Sequence, residues 1–393
     1  MFDFNYYTPT KVVFGKEAEI QTGGLVRAFG GSRVLIHYGG ESAARSGLLD
    51  RIRTALDEKG IFHTELGGVV PNPRLGKVRE GAALAKEQGV DFLLAVGGGS
   101  VIDSAKAIAY ALAEPEYDVW ELFDHTRKAK ASLPVGCVLT IAAAGSEMSP
   151  SCVITNEKTL EKRSYNDDLS RPKFAVMNPQ LTVTLPDYQT QSGCADIMMH
   201  TMERYFTQGG NMELTDELAE GLLRTVIKYA QILHTDPLNY EARAEIMWAG
   251  SLSHNGLTGC GNDGGDFVPH ALEHEMGGMF DVTHGAGLAA IWPSWAKYVY
   301  RECLPRFVRF AVKVMGVLPQ ADDTATARKG IEAMERFYRQ IGMPVNMKEL
   351  GIHPSDEQIL QMAESCARAV GGQKGSAKLL GQSDFEKIYR MAR

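Results

Sequence analysis

Two residue pairs, each spaced four apart, carry the strongest chemical signal in this chain. Asp196 and His200 stand in ADIMMHTMERYF, and His270 and His274 in HALEHEMGG; His284 follows ten residues later in FDVTHGAG. On a helix, side chains at i and i+4 share one face, so each pair can converge on a single ion. Carboxylate and imidazole are donors that suit a divalent transition metal. A lone histidine is more often a core residue with its hydrogen bonds satisfied, which is the reading for His37, His63, His125, His234 and His353. His254 has no partner at i+4 and stays unassigned. Five candidates from three short segments favour a shared metal over scattered core positions, though both fit the spacing. A metallopeptidase HExxH would need Glu directly after the first His, and position 271 is alanine. No G-x-S-x-G elbow of a serine hydrolase occurs either.

Glycine loops form the second signal. The apolar run Asp91–Val96 leads straight into Gly97-Gly98-Gly99-Ser100 and then the helical pattern VIDSAKAIAYAL. A strand feeding glycines at a helix N-terminus presents N–H groups beside the positive end of the helix dipole, a ready site for a pyrophosphate. Ile102 stands where the dinucleotide fingerprint has its third glycine, and no Gly-Lys-Ser/Thr follows as in a Walker loop. A tight turn with close helix–sheet packing fits the same residues. Gly39-Gly40-Glu41-Ser42 follows the run RVLIHY without the acidic residue that ordinarily bonds the ribose 2′-hydroxyl. Ser42 and Arg45 could receive a 2′-phosphate while Glu41 pulls the other way. This loop favours NADPH over NADH, and an ordinary strand-to-helix turn is the competing reading.

These residues need elements to hold them. Over 1–185, strand-like runs (Arg33–Tyr38, Asp91–Val96, Val135–Thr140, Lys173–Met177) alternate with helical patterns (Gly47–Lys59, Leu75–Gln88). That alternation predicts a mainly parallel, Rossmann-like sheet, with Lys11–Phe14 as a peripheral strand. After Pro186 the 3.6-residue period dominates, in Ala195–Phe206, Glu213–Leu233, Tyr240–Leu257, Thr324–Ile341 and Ser355–Val370. The reading is an α/β dinucleotide-binding domain over 1–185 and an all-helical metal-binding, catalytic domain over 186–393.

A net charge of −7 offers no basic field for nucleic acid. Six scattered cysteines, with no C-x-x-C pair, look like reduced thiols. With neither a signal-peptide pattern nor a long apolar run, the expectation is a cytoplasmic protein with no membrane partner.

GGGSVIDSAK (97–106), the PNP at 71–73 and the run Asp196-x3-His200 … His270-x3-His274-x9-His284-Gly285 resemble the iron-containing (group III) alcohol dehydrogenases. GDFVPHALEHE and YGGES are most similar to the branch of butanol dehydrogenases and NADPH-dependent aldehyde reductases. The resemblance implies a dehydroquinate synthase-like architecture, a homodimer, and hydride transfer between NAD(P)H and a small aldehyde or primary alcohol. It implies that Asp196, His200, His270 and His284 hold one divalent metal, Fe2+ or Zn2+, and that His274 sits catalytically near nicotinamide and substrate. Gly98, Gly99 and Ser100 would cradle the pyrophosphate with Asp103 beside them. Asn72, Thr140, Lys162 and Leu181 would line the cofactor, and Gly39, Gly40 and Ser42 would receive the adenosine ribose or its phosphate. The family carries a hydroxyl residue where this chain has Ala144, which removes one contact to the cofactor. Another enzyme of the same architecture, such as a glycerol dehydrogenase or dehydroquinate synthase, is a competing reading. The latter binds a phosphorylated substrate, yet 251–284 holds no Lys or Arg. A non-catalytic metal-binding module fused to a nucleotide-binding domain is the competitor from another class.

Overall fold

The apolar runs of the first half become strands because each is short, β-branched or aromatic, and bounded by turn residues. A computed structural model describes residues 1–393. Its strands are β1 (Lys11–Phe14), β2 (Arg33–Tyr38), β3 (Phe62–Leu66), β4 (Phe92–Gly97), β5 (Val135–Leu139), β6 (Ser151–Asn156), β7 (Glu161–Asn166) and β8 (Phe174–Met177). Six of them form one sheet in the order β1-β8-β5-β4-β2-β3, and every pairing within it is parallel. β4 and β5 are buried along their whole length, which explains their unbroken apolar sequences. β6 and β7 form a separate antiparallel hairpin that the sequence reading did not foresee, and β3 is likewise an addition.

The strand order reverses between β2 and β4. β3 lies on one side of β2 and β4 on the other, with His37 paired to Ala95 and Tyr38 to Val96. The crevice beyond the carboxyl ends of two strands at such a reversal is where open α/β sheets bind ligands. Here those ends are the two glycine loops. Behind them, buried His37 ties the layers together, with one ring nitrogen 2.9 Å from the Leu66 carbonyl and the other 2.8 Å from Ser104 Oγ. Burial pushes its pKa down to about 4 against the Leu66 bond that raises it, so it stays a neutral linker. The carbonyl can only accept, which puts the proton on Nδ1 and leaves Nε2 to accept from Ser104.

Packing divides the chain into Thr8–Thr184 and a second unit of Leu185–Arg393 joined by Met1–Tyr7. The opening segment docks on the helical unit, where Phe2 N–H donates to the Gly261 carbonyl at 3.0 Å and the Phe2 ring approaches Gly209. The helices that matter below are Asp187–Tyr205, Tyr240–His254, Val268–Phe280 and His284–Val299. Apart from a two-residue antiparallel ribbon, Gln373–Lys374 with Leu380–Gly381, the unit is helical. Its core is aromatic: Phe206 stacks on Phe307 at 4.2 Å and meets Trp295 and Phe310 edge-on. Phe206 ends the helix Asp187–Tyr205, so this cluster anchors the helix that carries Asp196 and His200.

Candidate functional site

In the helical unit, three imidazoles meet one carboxylate. His200 Nε2 lies 3.3 Å from Asp196 Oδ1, His270 Nε2 lies 3.7 Å from it, and His284 Nε2 lies 3.8 Å from it. Ligands about 2.1 Å from an ion sit roughly 3.4 Å apart in a tetrahedron, so this spread suits one small cation. Neither Asp196 Oδ1 nor His270 Nε2 has a hydrogen-bond partner, although both are buried. An orphaned buried acceptor costs about 1–3 kcal/mol, and a cation coordinated there would remove that cost.

Each donor has a physical reason for its place. Asp196 and His200 project from one face of the helix Asp187–Tyr205. His270 sits in the first turn of Val268–Phe280, where Glu203 from the other helix accepts its backbone N–H at 2.9 Å and its ring Nδ1–H as well. Asp266 accepts the Val268 N–H at 3.1 Å, so two carboxylates satisfy the donors that this helix start exposes. His284 opens the helix His284–Val299, and its Nδ1–H donates to Glu273. A Cβ on Gly285 would fall 1.9 Å from the Ser192 carbonyl oxygen, so only glycine lets this helix approach close enough to deliver His284.

Glu203 and Glu273 are the residues that motif spacing missed. By taking Nδ1–H they fix the orientation of both rings, so that once Nε2 is deprotonated its lone pair faces Asp196 in His270 and His284. Spacing gave no signal for either, because Glu203 braces His270 and Glu273 braces His284, each from a different helix. The electrostatics favour a cation. Burial opposes a charge on His270, yet Glu203 and Asp196 outweigh it and lift its pKa to about 9. Burial, then the neighbouring imidazoles and Arg204, push His200 the opposite way, so it is held neutral. His284 keeps 26% of its side-chain surface while Asp196 keeps 4%, which puts the open side of the cluster at His284. His274 lies there, its ring centroid 5.9 Å from that of His284 and 6.3 Å from that of His270.

In the α/β unit, β4 ends in Gly97 and the helix Gly99–Ala113 begins at once. A Cβ on Gly98 would sit 2.9 Å from Ile141, and one on Gly99 3.3 Å from Ala144. Val101 and Ile102 N–H both bond the Gly98 carbonyl, leaving the N–H groups of Gly99 and Ser100 at the positive helix end. Gly39 and Gly40 follow β2 next door, and Gly39 is pinned by Gly68 N–H at 2.7 Å to its carbonyl. Ser42 begins the short helix Ser42–Arg45, whose Arg45 pairs with Glu41 at 3.3 Å.

Thr140, just past β5, donates its N–H to the Gly97 carbonyl at 3.0 Å, and Leu181 packs with Tyr38 against the core under β2. Asn72 is buried with φ +53, a left-handed conformation that asparagine tolerates. The next residue, Pro73, accepts the Thr155 N–H at 2.8 Å, and Thr155 pairs with buried Lys162 across the β6–β7 hairpin. Asp103 turns to the protein. Its two oxygens accept from Ser146 Oγ at 2.6 Å and Val153 N–H at 3.0 Å. Buried Lys106, one turn on, reaches the carbonyls of Ser146, Ser149 and Ser151 at 2.7–3.0 Å. Together they lock the stretch after Ala144 onto the helix.

Residues 9–179 match the iron-containing alcohol dehydrogenase family, and residues 190–392 match the C-terminal part of the Fe-containing alcohol dehydrogenase family. The chain is 39% identical to NADH-dependent butanol dehydrogenase A of Clostridium acetobutylicum, with 99% of each covered. It is 37% identical to the NADPH-dependent aldehyde reductase YqhD of Escherichia coli, over 90% of this chain and 91% of the relative. The crystal structure of an NADH-dependent butanol dehydrogenase A from Thermotoga maritima superposes with a TM-score of 0.95 at 38% identity, covering 100% of this chain and 99% of the other.

Glu203→Gln tests this orienting role. It should weaken zinc binding by roughly 10–100-fold in a chelator competition, and an unchanged affinity would show that Glu203 does not orient His270.

Proposed function

Because this chain belongs to the iron-containing alcohol dehydrogenase family, the metal-dependent oxidoreductases of alcohols and aldehydes, we propose that it reduces a small aldehyde to its primary alcohol with NADPH in preference to NADH. The balance is aldehyde plus NADPH plus a proton giving alcohol plus NADP+, and it runs in either direction. The observation that carries this reading is the convergence of three imidazole Nε2 atoms on Asp196 Oδ1.

Asp196, His200, His270 and His284 are the ligands in this reading, and Fe2+ and Zn2+ both suit such a set. When bound, the ion supplies Lewis acidity to the substrate oxygen, and the dinucleotide supplies hydride. One carboxylate and three neutral imidazoles carry a single negative charge, so they do not cancel a divalent cation. Glu203 and Glu273 keep the lone pairs of His270 and His284 pointed inward. His274, on the open side, hands a proton to the substrate oxygen in reduction and takes it back in oxidation.

In this reading Thr8–Thr184 serves as the dinucleotide-binding domain, and Leu185–Arg393 with Met1–Tyr7 as the metal-binding, catalytic one. Gly98, Gly99 and Ser100 cradle the pyrophosphate, and Gly39, Gly40 and Ser42 take the 2′-phosphate. Asn72, Thr140, Lys162 and Leu181 line the cofactor, with Asp103 acting through the Ser146 turn. The lack of an acidic residue directly after β2 supports NADPH. Six free cysteines support a cytoplasmic setting. Met1, Phe2, Phe4, Tyr6 and Tyr7 all expose large apolar surface in one segment, which supports a homodimer.

Three measurements test this. Purified protein should oxidise NADPH when butanal is added, and His270→Ala should abolish both turnover and metal content; a His270→Ala variant with full activity would refute the ligand set. Gly39→Asp should move the kcat/KM ratio from NADPH towards NADH, and an unmoved ratio would count against the role of this loop. Sedimentation should give about twice the 43.0 kDa chain mass, whereas a single-chain mass would remove the homodimer.

A further inference from the structure

Two of the three converging imidazoles are braced from behind by a carboxylate, and the third is not. His270 and His284 donate Nδ1–H to Glu203 and Glu273. His200 Nδ1 is buried and has no hydrogen-bond partner. A ligand ring normally owes its orientation to the bond made by its other nitrogen, so something else must hold His200.

What lies against it is His254, the histidine that sequence spacing left unassigned. The two ring centroids are 3.8 Å apart with the planes tilted by 51°. His254 closes the helix Tyr240–His254 and is itself fastened by Arg204. Arg204 sits one turn beyond His200 on the same helix. Its Nη1 donates to the carbonyl of His200 at 2.6 Å and to that of Ser253 at 3.2 Å, and its Nη2 reaches His254 Nδ1 at 3.2 Å. The guanidinium also lies over the Phe267 ring at 4.9 Å, and the Gly259 Cα faces its stem.

Chemistry fixes the direction of that bond. Arginine has only donors and keeps its proton in proteins, so His254 Nδ1 must be the acceptor and the proton sits on Nε2. The Nδ1 lone pair is thereby occupied. His254 stands ring-to-ring with a ligand candidate, yet that nitrogen is not available to an ion.

We propose that His254, locked by Arg204, is a positioning residue that orients the His200 ring by direct packing, in place of the carboxylate that braces the other two imidazoles. This rests on the assignment of Asp196, His200, His270 and His284 as metal ligands made above.

Two substitutions separate packing from hydrogen bonding. His254→Phe keeps a flat ring against His200 but offers Arg204 no acceptor. His254→Asn keeps an acceptor near the Nδ1 position but removes the ring. Each is compared with the unmodified protein and with His270→Ala by zinc–chelator competition and by the visible spectrum of the Co2+-loaded protein, which reads coordination geometry without turnover. His254→Asn should bind zinc roughly 10–100-fold more weakly and shift the cobalt bands. His254→Phe should keep most of the affinity and the original bands. The proposal is overturned if His254→Asn binds like the unmodified protein, or if His254→Phe is no better than His254→Asn. If His270→Ala also binds metal normally, the ligand assignment itself has failed and takes this proposal with it.

Discussion

A single buried carboxylate oxygen, Asp196 Oδ1, organises the helical unit. Three imidazole nitrogens from three helices face it within 3.8 Å, and it has no hydrogen-bond donor of its own. That arrangement favours positive charge at its centre, whether a proton on His270 or a bound cation, because buried acceptors gathered together are otherwise unpaired. The surrounding structure reads as the means of holding it. Phe206 and its aromatic neighbours anchor one helix end, Glu203 and Asp266 satisfy the start of another, and Gly285 admits the third at backbone distance. Each device is local, and each would be pointless without the others.

The α/β unit solves a different problem, that of turning a buried strand directly into a helix. Its means are absences: no Cβ at Gly98, where Ile141 stands, and no third glycine at Ile102 because the helix is already turning under the loop. A buried amine holds the neighbouring wall in place. Lys106 gathers the carbonyls of the 146–151 stretch and, with Asp103, ties that wall to the helix Gly99–Ala113. A lysine with no exposed surface is costly, and it is tolerated because every proton on its nitrogen has an oxygen to go to.

What could be read from the residues followed from periodicity. Helical spacing placed Asp196 with His200 on one helix face and His270 with His274 on another. β4 and β5 were legible because each is continuously apolar. β3, with His63, Thr64 and Glu65 half-exposed at a sheet edge, carries no such run. The β6–β7 hairpin hides for a similar reason: its second strand reads EKRSYN, and its turn uses Leu160 at φ +57 rather than a glycine. Glu203 and Glu273 act across helices, so their partners are set by tertiary packing that one-dimensional spacing does not encode. Asp103 shows the reverse case. A motif drew attention to it as a neighbour of the cofactor, while both its oxygens bond to the protein itself.

The docking of Phe2 on Gly261 has a consequence for biosynthesis. Residues 1–7 rest on a surface that leaves the ribosome about 250 residues after them. At ordinary translation speeds that interval is on the order of 10–50 s. Throughout it this aromatic-rich segment has no surface to settle on, so the nascent chain exposes it to chaperones until the helical unit follows.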